Sequence, residues 1–237
     1  MDIYICNLKL GEKPLIAGIL TDIDIPTLNS DYLNAADLIE LRVDMFSTLS
    51  LEHIETVFKT VRDRFRKPII ATVRDVREGG QKEVKDRLSI YRIVAPLSDI
   101  IDVELGAQDI FPDVRQLCSE HKKVLIGSYH NFEATPDGDF IDNIVMKGKE
   151  AGADIIKIAA MANNRDDLVR LMLLNLRHKD KGLITISMGG DGLASRVFNP
   201  LFGSLITYGY IDHPSAPGQI SASELMYIFR RLRMRRK

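Results

Sequence analysis

Residues 141–177 read IDNIVMKGKEAGADIIKIAAMANNRDDLVRLMLLNLR. Apolar residues recur at three- and four-residue spacing in 141–151 and in 166–177, which predicts an amphipathic helix in each segment. Between them, the run at 155–159 follows Gly152 and is short, continuous and rich in isoleucine. Such a run is typical of a strand buried in a parallel sheet. This stretch therefore predicts a strand between two helices, the repeating element of an α/β fold.

The same unit recurs along the whole chain. Strands are predicted at 15–20, 38–43, 69–73, 100–105, 124–129, 155–159, 183–188 and 205–208. Helices are predicted at 51–65, 84–94, 110–118, 141–151, 166–177 and 221–233, the last one with Ser221 and Glu224 as a capping box. The segment 24–36 contains Pro26 and is turn-like. Eight parallel strands close a barrel, so the predicted fold is an α/β (β/α)8 TIM barrel.

The first residues add a further element. Residues 3–5 and 8–10 are predicted to form a β-hairpin that turns at Cys6-Asn7 and closes the bottom of the barrel, where the strands begin. No linker or low-complexity tract interrupts the rest, so we expect a single domain over residues 1–237.

Composition excludes several classes of protein. With 32 basic and 33 acidic residues, the net charge is −1, and no nucleic-acid partner is expected. No apolar run reaches about 18 residues, and the start lacks the features of a secretory signal, so we expect a cytoplasmic protein without a membrane partner. The two cysteines and five histidines match no metal-binding spacing, so no metal is expected.

A lysine within the sixth predicted strand is the sharpest chemical signal. Lys157 lies between Ile156 and Ile158, and we expect these apolar neighbours to lower its pKa and favour the neutral amine that attacks a carbonyl. The structural alternative is an ion pair with Asp102 or Glu104. His130 ends the preceding strand, and its imidazole can transfer protons at neutral pH.

Further charges lie near the carboxyl ends of the strands, where barrels place their chemistry. They are Glu40 and Arg42 on the second strand, Arg74 after the third and Arg196 after the seventh. Three arginines around one mouth indicate an anionic substrate, because a guanidinium binds a carboxylate in a bidentate fork. The alternative is a closed network of glutamate and arginine inside the barrel.

Loops rich in glycine, serine and proline follow the last two strands, at 187–192 and 215–219. Such loops bind phosphate in many barrels. The second loop is alternatively a lid that brings polar side chains to a substrate. Asp191 in the first loop would repel an anion, which argues against phosphate.

Several motifs together resemble the type I 3-dehydroquinate dehydratases. They occur in the family's order: Glu40-Leu41-Arg42-Val43-Asp44, Thr72-Val73-Arg74 with Glu78-Gly79-Gly80, Ser128-Tyr129-His130, Ile156-Lys157, Ser195-Arg196 and Ser215-Ala216-Pro217-Gly218-Gln219. The resemblance implies loss of water from 3-dehydroquinate to give 3-dehydroshikimate in the shikimate pathway. It also implies an enzyme without a cofactor that is commonly a homodimer.

The resemblance also implies roles for single residues. Lys157 matches the imine-forming lysine, His130 the general acid and base, and Glu78 the carboxylate that orients this histidine. Arg196 matches the group that binds the substrate carboxylate. The other residues that contact the substrate in the family correspond here to Glu40, Arg42, Arg74, Ser215 and Gln219. The sequence departs from the family at Tyr208, where phenylalanine is common, so its hydroxyl is available to a new partner.

Two rival functions fit the same motifs less well. A Schiff-base aldolase would also use a lysine on the sixth strand, but it would normally bind a sugar phosphate. A barrel that only binds a hydroxy acid would not need the pair of Lys157 and His130. Fold analogy alone does not separate these alternatives.

Overall fold

The computed structural model describes residues 3–212 and 219–234. Its strands are β1 Tyr4–Ile5, β2 Leu8–Lys9, β3 Leu15–Leu20, β4 Leu38–Arg42, β5 Ile69–Thr72, β6 Ile100–Glu104, β7 Val124–Asn131, β8 Ile155–Met161, β9 Leu183–Met188 and β10 Ile206–Tyr210. Strands β1 and β2 pair antiparallel. The other eight form one parallel sheet in the order β10-β3-β4-β5-β6-β7-β8-β9. The amide of Leu205 donates to the carbonyl of Leu183 at 2.8 Å and ties the two ends of the sheet together.

Helices follow the barrel strands on the outside. The α-helices are α1 Leu51–Phe65, α2 Arg87–Val94, α3 Phe111–Glu120, α4 Gly138–Glu150, α5 Arg165–Arg177, α6 Ser195–Leu201 and α7 Ala222–Arg231. Short 3-10 helices cover Ser30–Ala35, Val43–Met45, Val76–Glu78, Ala95–Leu97 and Asp191–Ala194. The predicted α/β barrel is thereby confirmed.

The helix ends differ from the sequence prediction where a polar cap decides them. Helix α2 begins at Arg87 rather than at residue 84, because Asp86 accepts a hydrogen bond from the amide of Ser89. Helix α4 begins three residues early, because Asp137 caps it in the same way. Helix α6 is absent from the prediction, since it is short and contains Pro200. The predicted capping box of Ser221 and Glu224 is confirmed.

The barrel interior is layered. Near the bottom, each strand contributes one apolar side chain to a common cluster: Leu15, Leu38, Ile70, Ile100, Ile126, Ile155, Ile184 and Ile206. Ile5 and Leu10 of the hairpin pack against this floor, as predicted. Two residues further along, five of these strands carry a polar side chain that points inward: Glu40, Thr72, Asp102, Ser128 and Lys157. The apolar floor therefore supports a polar layer that opens toward the carboxyl ends of the strands.

Candidate active site

A cavity of about 480 Å³ lies above the polar layer. Nearly all of the predicted site residues line it: Glu40, Arg42, Arg74, Glu78, His130, Lys157, Arg196 and Gln219. Ser215 lies outside the described residues. These side chains come from every part of the chain, and the barrel brings them together because the strand ends share one mouth.

Lys157 points into this cavity as an ion-paired cation. Its Nζ lies 2.9 Å from Asp102 Oδ2 and 3.6 Å from Glu40 Oε1. Burial lowers the pKa of Lys157, but the attraction of these two carboxylates outweighs burial and raises the pKa above its ordinary value. The expectation of a lowered pKa was wrong for this state, because Ile156 and Ile158 point away from the cavity toward the helices. The ion pair with Asp102, the structural alternative, is present.

Asp102 is the electrostatic centre of the polar layer. Its carboxylate also accepts hydrogen bonds from Arg74 Nη2 at 2.7 Å and from Ser128 Oγ. Burial alone would raise the pKa of Asp102, but Arg74 and Lys157 hold the pKa well below its usual range. The carboxylate therefore stays ionised and fixes the position of the lysine.

His130 is oriented from one side by a carboxylate. Glu104 accepts a hydrogen bond from the His130 amide at 2.8 Å, and its Oε2 lies 2.8 Å from Nδ1. Because a carboxylate accepts, the neutral ring carries its proton on Nδ1 and keeps the lone pair of Nε2. Burial and the charge of Arg74 lower the pKa of His130, although Glu104 opposes them. At neutral pH the imidazole is therefore a free base.

Glu78 is not positioned for its predicted role, which is to orient His130. Its two carboxylate oxygens accept from Arg87 Nη1 at 2.9 and 2.8 Å, and one also accepts from the amide of Asp75. The carboxylate that orients His130 in this structure is Glu104, which projects from the strand beside β7. Glu78 still lines the cavity. Its participation in catalysis stays a prediction.

The predicted arginines divide into two groups. Arg42 forms a bidentate pair with Asp44 at 2.9 and 2.8 Å, and Arg74 contacts Asp102 and Glu104 at 2.7 and 2.8 Å. These two arginines belong to a closed network, as the structural alternative supposed. Arg196 has no carboxylate within ion-pair distance among residues 3–212 and 219–234. Burial therefore lowers its pKa to about 10.

Asp102, Glu104 and Asp44 were not predicted as site residues. Asp102 and Glu104 alternate with apolar residues on one strand, and this two-residue period shows which way they point. The ion pair of Lys157 with Asp102 was foreseen only as an alternative, and the contacts of Arg74 with both carboxylates were not foreseen, because these residues are remote in sequence.

No described group of three or more histidine, cysteine, aspartate or glutamate side chains is arranged to hold a metal ion. No described helix is long and apolar enough to span a membrane.

A buried lysine and a histidine that line one cavity of a barrel are the kinds of group that an enzyme working through a Schiff base uses. Residues 27–235 match the model of the type I 3-dehydroquinase family. The 3-dehydroquinate dehydratase of Thermodesulfovibrio yellowstonii is 41% identical over 226 residues, covering 95% of this chain and 99% of that protein. The chain thus belongs to the type I 3-dehydroquinase family, with the function of a type I 3-dehydroquinate dehydratase, a hydro-lyase. This family membership argues against the two alternatives, a Schiff-base aldolase and a barrel that only binds a hydroxy acid.

Solved structures agree with this assignment. The type I 3-dehydroquinate dehydratase of Clostridium difficile, determined with covalently modified comenic acid, superposes with a TM-score of 0.89 at 30% identity and covers 98% of this chain and 97% of its own. The Aquifex aeolicus enzyme gives 0.80 at 36% identity, with 92% and 98% covered. A Yersinia pestis protein solved with a pterine-sulfa conjugate gives 0.63 at 13% identity and shares the fold alone.

Proposed function

We propose that this protein removes water from 3-dehydroquinate through an imine on Lys157, with His130 as acid and base. The observation that carries the proposal is the position of Lys157 Nζ, which lies inside the cavity that His130 and Arg196 also line. The substrate carries a ketone, a carboxylate and several hydroxyls. Each of these groups has a suitable partner in the cavity.

Arg196 binds the substrate carboxylate in this proposal. It is the arginine of the mouth without a carboxylate partner in the described part of the chain, and the bound anion would supply that missing charge. Arg42 and Arg74, which also line the cavity, hold Asp44, Asp102 and Glu104 in place, and their contact with the substrate stays a prediction. Glu40, Gln219 and Ser215 are proposed to contact substrate hydroxyls.

Attack on the ketone requires the neutral amine. The ion pair with Asp102 favours the ammonium, so Lys157 must first release one proton. The neutral His130 imidazole is a suitable acceptor. The amine then adds to the carbonyl carbon, and loss of the oxygen as water leaves a protonated imine. Overall, a ketone and an ammonium give a protonated imine and one water.

The imine then makes the elimination possible. Its positive nitrogen withdraws electrons from the adjacent carbon, and Nε2 of His130 removes a proton there. The electrons pass into an enamine, which expels the β-hydroxyl as the imidazolium protonates it. Water finally hydrolyses the conjugated imine and frees Lys157. Glu104 stabilises the imidazolium in the two steps in which it is charged.

Borohydride trapping tests the proposal. The protein is mixed with 3-dehydroquinate, reduced with sodium borohydride and digested for peptide mass mapping. The expected result is a mass gain confined to Lys157, together with absorbance from a conjugated enone in the unreduced reaction. Enone without an adduct at Lys157 would contradict the imine, and absence of both would contradict the reaction.

We also propose a single-domain homodimer in which a second copy covers the outer surface of α5 and α6. Large apolar side chains are exposed on both helices: Val169, Leu173, Leu176, Phe198 and Leu201. Exposed apolar side chains that share a surface mark association sites. Light scattering after size exclusion should give twice the chain mass, and Leu173→Glu should reduce that mass to one chain. A monomer before substitution would contradict the proposal.

Cytoplasmic localisation is proposed on chemical grounds. Cys6 is exposed and Cys118 is buried, and both are free thiols, as is usual in reducing compartments. Fractionation of cells that produce the protein should recover it with cytoplasmic enzymes. Recovery with secreted proteins would contradict this proposal.

A further inference from the structure

Tyr208 carries a buried hydroxyl that the fold itself does not use. The residue lies in the middle of β10, is 4% exposed and lines the cavity. Its Oη makes no well-oriented hydrogen bond to any residue that the structure describes, although it lies near enough to Lys157 to interact with it. Buried hydroxyls nearly always have a partner, because an unsatisfied one loses its bonds to water without replacement. Tyr208 Oη is one of four such buried atoms in the described residues, and its ring also lies against Lys157 in the cavity, which points to a group that acts on a bound molecule.

The ring of Tyr208 lies against the amine that forms the imine. Nζ of Lys157 is 4.4 Å from the ring centroid, so the ring forms one wall of the space around the nitrogen. Asp102 at 2.9 Å and Glu40 at 3.6 Å are the charged groups in contact with this nitrogen, and Arg196 lies further along the same cavity. Asp102 has no proton to give to the oxygen of a bound ketone, because Arg74 and Lys157 hold its pKa well below the usual range. The phenol therefore lies next to Nζ of Lys157. It also lies next to the space that the carbonyl carbon of the substrate would occupy once it is bonded to Nζ.

Burial keeps the phenol protonated. It raises the pKa of Tyr208 above its ordinary value, although the charge of Lys157 opposes the shift. A neutral phenol both donates one hydrogen bond and accepts others. It can thus take a proton at one lone pair while it gives its own proton to another atom.

Condensation of an amine with a ketone needs such a bifunctional group. When the neutral amine adds to the carbonyl carbon, the C–N bond forms and the C=O π electrons move to oxygen. The adduct then has a positive nitrogen and a negative oxygen on the same carbon. It collapses back to amine and ketone unless a proton moves from nitrogen to oxygen, and the two atoms are too close for an efficient direct transfer.

Resting on the proposed imine mechanism, we infer that the Tyr208 hydroxyl carries this proton from Nζ to the substrate oxygen. Oη accepts one proton from the positive nitrogen and its own proton passes to the oxyanion. The product is a neutral carbinolamine, and Tyr208 ends as the phenol that it was. No oxidant, metal or further reactant is needed. A phenylalanine would provide the same wall but not this transfer.

Rapid-quench trapping measures the step directly. Tyr208→Phe is mixed with saturating 3-dehydroquinate and quenched into borohydride at increasing times, and the mass fraction of protein trapped at Lys157 is recorded. We expect the rate constant for adduct formation to fall about 10²-fold, the scale of one acid–base group, while KM stays close to its original value. Tyr227→Phe is the matched control, because that tyrosine is 64% exposed on α7.

A second variant keeps the hydroxyl. Tyr208→3-fluorotyrosine should retain most of the rate of adduct formation, and melting curves should show that both variants fold. Adduct formation by Tyr208→Phe at the original rate would overturn the inference. So would a raised KM with an unchanged rate constant at saturation, since the ring would then serve binding alone. Failure of the unsubstituted protein to form any adduct would instead overturn the proposed function.

Discussion

Glu104 holds His130 at two points, one on the backbone and one on the ring. Its Oε1 accepts from the amide and its Oε2 meets Nδ1, both at 2.8 Å. A side chain held at both places has little freedom to rotate, so Nε2 keeps a fixed direction into the cavity. The orientation of the base is thus built into neighbouring strands of the barrel.

Glu104→Gln should lower kcat by about tenfold or more, because the imidazolium loses its charged partner. Glu104 raises the pKa of His130 against burial, so its loss lowers that pKa further. Activity requires the neutral base and rises as pH increases through this pKa. The acid limb of the kcat/KM profile should therefore move to lower pH. Glu78→Gln is the comparison, and a shift in that variant but not in Glu104→Gln would restore Glu78 as the orienting group.

Asp102→Asn should destabilise the fold by about 3 kcal/mol, because it leaves Arg74 and Lys157 buried with less compensation. Urea unfolding measures this change. Asp180→Asn, on an exposed loop, should stay within about 0.5 kcal/mol. An equally small loss in Asp102→Asn would contradict the central role of this carboxylate.

The same carboxylate predicts how stability depends on pH. The pKa of Asp102 is lower in the folded protein than in the unfolded chain, where it is about 4. Its contribution is therefore complete above that pH and is lost progressively as pH falls below it. Unfolding free energy measured between neutral pH and pH 3 should fall less steeply in Asp102→Asn. Parallel curves for the two proteins would contradict this assignment.

Lys157→Ala should abolish turnover and borohydride trapping while the barrel stays folded. Asp102 keeps its bonds to Arg74 and Ser128 after the amine is removed, so the polar layer retains a compensating cation. Mass spectrometry and circular dichroism check the two parts. Lys59→Ala, on the exposed surface of α1, is the control. Turnover in Lys157→Ala would exclude the imine mechanism.

Arg196→Ala should raise KM about 10- to 100-fold with a smaller change in kcat, since a charged hydrogen bond to a carboxylate contributes about 1.5–3 kcal/mol throughout the reaction. Stability should not fall, because the half-buried cation has no ion-pair partner in the described chain to lose. Steady-state kinetics and urea unfolding measure both. Arg92→Ala on the outer surface of α2 is the control. A large kcat loss at unchanged KM would place Arg196 in transition-state stabilisation.

Tyr208→Phe should raise the free energy of unfolding by about 1 kcal/mol, because it removes a buried hydroxyl without a well-oriented hydrogen bond in the described residues. The same change should slow imine formation, so stability and activity would move in opposite directions. Urea unfolding of the protein without substrate checks the first part. A loss of stability would mean that the hydroxyl has a structural partner.

The sequence alone determined the barrel, because the spacing of apolar residues that marks a strand or a helix is a local pattern. Each strand–helix unit can therefore be recognised independently of the others. It also determined that Lys157, Glu40 and Arg42 point inward, since side chains alternate along a strand. The hairpin below the barrel floor and the capping box at Ser221 were also predicted, because both are encoded by residues close together in sequence.

Only the tertiary structure decided which charges meet. Arg74 follows the end of β5 and Asp102 lies in the adjacent β6, 28 residues further on, while Lys157 and Asp102 are 55 residues apart. It therefore decided that Glu104 rather than Glu78 orients His130, that Arg196 is left without an ion-pair partner in the described chain, and that Lys157 rests as an ammonium. A pKa depends on the charges that surround a group in space, and closure of the barrel sets those distances.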